Sequence, residues 1–234
     1  MPRTTKRDRY HHGDLRAALI DTAVELIAEH GVQGFSLAEA SRRLGVAPSA
    51  PYRHFADRDE LLLAVGVRAG EQLVAAVTAE SRGTEPEQRL VGVARGYVRF
   101  AAGHRALFEA LIGPTFSTPE LELAARPVKE AFHDAAMALS GGDLPTAETL
   151  GVAVAAVAHG YAGLLRLGMF GAGDDAVEIA VERAADATLA LVAGRAELAS
   201  RQPAAAPGSG RALARKPVQD QAEPASPEAG PGSG

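Results

Sequence analysis

No cysteine occurs anywhere in the 234 residues, and that absence removes disulfide frameworks, cysteine-ligated zinc, iron–sulfur clusters and thiol nucleophiles at once. Tryptophan and asparagine are missing too, and aromatic residues make up only 5% of the chain. There is no stretch of about 18 uninterrupted apolar residues. The most apolar segment, 150–170, is broken by His159 and Arg166, so no membrane partner is expected. Period-two alternation, the mark of a half-buried strand, is also lacking. The opening residues MPRTTKRDRYHHGD are charged and contain no apolar core, which predicts a protein without a secretory signal that stays in the cytoplasm.

Catalytic signatures are equally scarce. The chain has no His-Glu-x-x-His, Gly-x-Ser-x-Gly or Walker loop. Gly171-Ala172-Gly173-Asp174-Asp175-Ala176 imitates a dinucleotide fingerprint, but it follows a helical segment rather than a strand and reads as a turn. His11 and His12 are neighbours with no further ligand at metal spacing. Neither catalytic residues, nor a metal, nor a cofactor is expected.

What is present is unevenly distributed charge. The chain carries a net −5, yet residues 1–58 carry a net +2 and the remainder −7. Four of the front cations, Arg3, Lys6, Arg7 and Arg9, fall within nine residues that lack helical periodicity. Residues 1–13 therefore read as a flexible basic arm of the kind that enters a DNA minor groove.

Helical spacing starts at Asp14, with Leu15, Leu19, Ala23 and Leu26/Ile27 on one face and Arg16, Asp21, Glu25 and Glu29 on the other. Gly31 and Gly34 close this helix at about residue 30. Ser36 with Glu39 three residues on is a capping box, opening a short helix that stops at Gly45. A third short helix is expected over 48–54, because Pro48 and Pro51 are both tolerable in a first turn. A fourth begins at Arg58, and 86–103, 105–113, 119–140, 146–169 and 175–197 read as further helices separated by glycine-containing turns. The tail, 199–234, is rich in Pro, Ala, Gly and Ser, a composition that predicts disorder.

Two short helices joined by a glycine turn, after a longer helix, make a helix-turn-helix. The stretch FSLAEASRRLGVAPSAPYRHFADRDELLLAV, residues 35–65, resembles the DNA-binding domain of the TetR family in its Gly-Val turn, its Tyr-x-His-Phe and its acidic-Leu-Leu helix start. The resemblance implies an all-α protein. An N-terminal three-helix helix-turn-helix domain (14–60) would precede a C-terminal helical domain (61–198) that binds an effector and dimerises. The expected partners are double-stranded DNA, a second copy of the chain through 146–169 and 175–197, and a small molecule that releases a repressor from a palindromic operator.

Carried over from the family positions, Pro48, Ser49, Ala50 and Arg53 would face bases, with Tyr52 and His54 toward phosphates. Arg can bond guanine O6 and N7 together, while hydroxyl and imidazole groups donate to phosphate oxygens. Tyr52 shares this role with packing, and Phe55 is expected to be core. Ser36, Arg42 and Arg58 are expected at the DNA backbone, whereas Arg43 reads as the partner of an acidic neighbour. For the effector, Tyr97, Phe100, His104, Phe108, Phe116, His133, Met137 and Tyr161 are the pocket candidates among helices 90–170, against the plainer reading that aromatics at helical spacing are core. Ala158-His159-Gly160 lies where one subgroup carries Trp-His-Gly, with Ala in place of Trp; His159 also reads as a helix-to-helix contact.

Overall fold

A computed structural model describes residues 15–112 and 118–201. The basic-arm residues Arg3, Lys6, Arg7 and Arg9, Phe116, and the tail from 202 lie outside the described residues. Every regular element among those described is helical. α1 spans Leu15–Gly34, with a break at Gly31, whose φ of 72° no longer follows the helix. It buries Leu19, Ala23, Leu26 and Ile27, the spacing of one helical stripe. Each buried leucine or isoleucine of this stripe contributes about 2 kcal/mol of hydrophobic stabilisation.

α2, Leu37–Leu44, begins where the Ser36 hydroxyl accepts the Glu39 amide at 3.2 Å. It ends at Gly45 in the left-handed conformation (φ 66°), with Gly45 N–H donating to Arg42 C=O and Val46 N–H to Ser41 C=O. That paired bonding is a Schellman motif, which favours glycine because a side chain is strained at this φ. The Glu39 carboxylate takes Arg42 rather than completing the capping box.

The expected helix over 48–54 is replaced by turns. Only Pro51–Arg53 is regular, as one 3-10 turn, with Ala50 N–H bonded to Ala47 C=O and His54 N–H to Pro51 C=O. Pro51 has no N–H to give, and its ring opposes an α-helical residue four positions earlier. Short i to i−3 bonds dominate, with one i to i−4 bond, Phe55 N–H to Pro51 C=O at 3.0 Å, closing the segment.

α3, Arg58–Glu80, is one unbroken helix capped by Asp57, whose carboxylate accepts the Glu60 amide at 2.9 Å. Its N-terminal half closes the head, and its C-terminal half enters the body formed by α4 (Pro86–Gly103), α5 (Arg105–Ile112), α6 (Pro119–Leu139), α7 (Leu144–Arg166) and α8 (Asp174–Ala193). The segment expected as one helix over 175–197 is divided at Gly194, and α9, Arg195–Arg201, runs three residues into the stretch expected to be disordered. α3 and α7 are long and apolar enough to cross a bilayer by composition alone. In this fold Leu61, Leu62, Val65, Ala69, Leu73 and Val77 of α3, and Leu150, Val154, Ala158 and Ala162 of α7, face the protein core instead.

α3 and α4 touch backbone to backbone. A Cβ placed on Gly92 would stand 2.3 Å from Glu80 C=O, and one on Gly96 would stand 2.7 Å from Val77 Cα. Only glycine fits there.

Candidate nucleic-acid interface

The candidate reading edge of the head is built on a buried aromatic. Phe55 is 1% exposed and packs in the core with Phe35, Leu37 and Ala40, while the Arg16 guanidinium lies 5.2 Å from its ring centroid, within cation–π range. Fixing Phe55 inside turns the preceding residues outward. Pro48, Ser49 and Arg53 are exposed, Tyr52 is 60% exposed, and Ala50 and His54 are half-buried. The chain thus presents Pro48, Ser49, Tyr52 and Arg53 outward around buried Pro51 and Phe55.

The head's arginines divide into tethered and open ones. Arg43 forms two 2.7 Å hydrogen bonds with the Glu29 carboxylate, bracing α2 against α1. These bonds hold the Glu29 carboxyl below its ordinary range and push the Arg43 guanidinium higher. Arg42 is exposed and bonds Glu39 on its own helix. Arg58 donates Nε to Phe35 C=O at 3.1 Å and Nη2 to Val32 C=O, and its Nη1 meets Asp59 at 3.2 Å. Arg58 therefore satisfies carbonyls at the frayed end of α1 and in the α1–α2 turn. Arg53 is different: among the described residues its side chain has no ion pair, hydrogen bond or ring contact.

Sequence reasoning missed Arg16 as a support of the reading edge. Its position on the polar face of α1 was legible, but a ring 39 positions away leaves no local trace. Ser36, expected at the DNA backbone, uses its hydroxyl as the α2 cap.

In the body, the structure separates the expected pocket residues. Phe100 is in the core, Met137 packs half-buried against it, and His104 lies on Phe100 with ring centroids 5.1 Å apart. Tyr161 stacks on Phe170 at 6.0 Å. Tyr97, Phe108 and His159 form one cluster from α4, α5 and α7, with centroids 5.7–6.2 Å apart. The Tyr97 hydroxyl is 3.0 Å from His159 Nδ1, so His159 is a helix-to-helix contact through a side chain rather than a carbonyl. His133 lines a cleft of about 620 Å³ between α6 and α7. Its floor is Phe132, Ala147, Gly151 and Ala155, and Lys129, Glu148 and Val152 complete the rim. Lys129 and Glu148 were missed because the sequence search followed aromatic residues.

Comparison with known proteins agrees with this layout. Residues 19–65 match the family described as bacterial regulatory proteins, tetR family, and residues 90–190 match the Tetracyclin repressor-like C-terminal domain. An HTH-type transcriptional regulator of Haemophilus influenzae is 46% identical over 59 residues, covering 25% of this chain and 29% of that one. The chain spans less than two thirds of the length of the curated relatives it matches. A Rhodococcus sp. RHA1 protein of unknown function superposes with a TM-score of 0.68 at 27% identity, over 80% of this chain and 98% of that one. A regulatory protein in the tetR family, also from Rhodococcus RHA1, gives 0.61 at 22%, over 76% and 96%, and shares the fold. With one family model on the head, another on the body and more than half of the sequence between them, the chain belongs to the TetR family.

Proposed function

We propose that this chain is a homodimeric, sequence-specific DNA-binding transcriptional regulator acting in the cytoplasm, a repressor released from an imperfect palindrome by a small molecule. The observation that carries the reading is the outward set Pro48, Ser49, Tyr52 and Arg53 seated on buried Pro51 and Phe55, with the Arg53 donors unspent. Arg53 reads a guanine; Ser49 and Ala50 are small enough to let the backbone approach and to touch a thymine methyl. No Asn exists and residues 47–54 contain no Gln, so bidentate reading of adenine is not available from this segment. Tyr52, His54 and Arg42 meet phosphates, and Arg3, Lys6, Arg7 and Arg9 add charge from the arm. Ser36 and Arg58 serve the interface from behind, by fixing the start of α2 and the turn before it.

Dimerisation through α7 and α8 is supported by what those helices leave outside. Val152 is 70% and Leu167 73% exposed, and Leu164, Ile179 and Leu189 are also exposed. Gly160 and Gly163 have nothing within 4 Å of the place a Cβ would occupy. Glycine costs about 1 kcal/mol in a helix interior relative to alanine. Within the protomer nothing offsets that cost, whereas close approach of a second copy's helix would. The α6–α7 cleft, mostly apolar with Lys129, His133 and Glu148 at its rim, is the place for a partly apolar effector.

Selection of bound sequences from random DNA, followed by sedimentation of the chain free and bound, tests the reading. An inverted repeat bound by a dimer is expected. A monomer on DNA, or no enriched sequence, would sink it.

A further inference from the structure

Within the body, at the end of α3 remote from the head, three helices meet in a charged junction. Arg99 of α4 donates from both terminal nitrogens to the Glu178 carboxylate of α8, one bond measuring 2.8 Å. Its Nε stands 3.2 Å from the carboxylate of Glu80, the last residue of α3. One turn back on α4, Arg95 bonds Glu182, one turn further along α8, at 2.8 Å. The two rungs run antiparallel, but only Arg99 reaches a third helix. Both arginines keep Nε out of solvent and without a hydrogen-bond partner, so the link from Arg99 to Glu80 is an ion pair rather than a hydrogen bond. The same end of α3 is pressed onto Gly92 and Gly96, leaving it no room to slide along α4.

We propose that Arg99 is a positioning residue for DNA binding: by tying Glu80 to Glu178, it sets the placement of the α3 end against α8 and hence the separation of the two reading edges in the dimer. This rests on the dimeric-regulator reading above. The logic is mechanical. α3 carries the head at its N-terminal end, and α8 belongs to the element that meets the partner. A link between the far end of α3 and α8 therefore joins the head to the dimer axis without touching DNA. An isolated half-exposed ion pair is weak. A guanidinium hydrogen-bonded in a fork to Glu178 and ion-paired with Glu80 on another helix instead constrains how those helices sit.

The test measures affinity for operators whose half-sites are separated by the selected spacing and by one or two base pairs more or fewer. Wild type, Glu80→Gln, Arg99→Ala and Glu182→Gln are compared, each checked as a dimer by sedimentation. Wild type is expected to prefer its own spacing by about tenfold, the difference one badly placed contact makes. Glu80→Gln and Arg99→Ala should flatten that preference to threefold or less while changing affinity for a single half-site little. Glu182→Gln, which cuts the rung that does not reach α3, should keep it. Glu80→Gln preserves shape, so it decides the matter even if Arg99→Ala fails to fold. Full spacing preference in Glu80→Gln, or equal flattening by Glu182→Gln, overturns the positioning role alone. A wild type that binds no DNA, or all spacings alike, overturns the regulator reading and the positioning role together.

Discussion

The Tyr97 hydroxyl on α4 stands 3.0 Å from Nδ1 of His159 on α7, a hydrogen bond between helices that are 62 residues apart in sequence. Burial of the phenol pushes the Tyr97 pKa from its ordinary 10.0 up to about 12. The folded state thus holds this proton more tightly than the unfolded chain does. Its contribution to stability is complete below pH 10 and is lost as pH rises from 10 to 12, by about 2 kcal/mol. Urea unfolding of wild type and Tyr97→Phe between pH 9 and pH 12 should show the variant losing less stability over that window. Parallel curves would contradict it.

Arg53 and Arg58 should separate cleanly in DNA binding. Arg53→Ala is expected to cost about 1–3 kcal/mol on the preferred site and to relax discrimination at one position of each half-site. Arg58→Ala removes the donors to Phe35 and Val32 carbonyls, so it should weaken every sequence alike and lower the unfolding midpoint of the head. Its salt slope should match wild type. A slope reduced by about one for Arg58→Ala would instead place that guanidinium on a phosphate.

Gly163→Leu tests the dimer face. With open space around the missing Cβ, the substitution should raise protomer stability by up to about 1 kcal/mol through helix propensity. It should also weaken dimerisation tenfold or more. Sedimentation equilibrium reads the second effect and thermal unfolding of a dilute sample the first; an unchanged dimer constant removes Gly163 from the interface.

Gly96→Ala is the opposite case on a neighbouring helix. Its Cβ would stand 2.7 Å from Val77 Cα and 2.8 Å from Ala76 C=O, both backbone atoms that cannot yield as a side-chain tip does. Overpacking of this kind costs about 1–3 kcal/mol. Loss of stability in urea is expected despite the better helix propensity of alanine, and a gain would mean that α3 and α4 are not in contact.

The helical architecture was legible because its signals are local. Ser36 and Gly45 mark the ends of α2, and the Leu19–Ile27 stripe is visible one turn at a time. The segment 48–54 was misjudged for a physical reason: Pro48 and Pro51 are each acceptable near a helix start, but together they remove two amides, and the segment settles into turns around one 3-10 element. The site was less legible. Exposure of Ser49, Tyr52 and Arg53 follows from burial of Phe55, a relation the short motif carries. The tethering of Arg43 to Glu29 and of Arg58 to Val32 depends on how α1 turns back over α2, and nothing in the spacing encodes it. The aromatic search in the body found core, because Phe100 and Phe108 fill space that the small residues of α4 and α7 leave.

The unbroken run of α3 from Arg58 to Glu80 makes it a lever. At 1.5 Å per residue it is about 33 Å long, so pivoting about its Glu80 end by about 6° carries the Arg58 end sideways by about 3.5 Å. One base-pair step of duplex DNA is about 3.4 Å. A pivot of that size would therefore shift the outward residues of the head by about one such step. With two such levers in a dimer, the error between half-sites doubles.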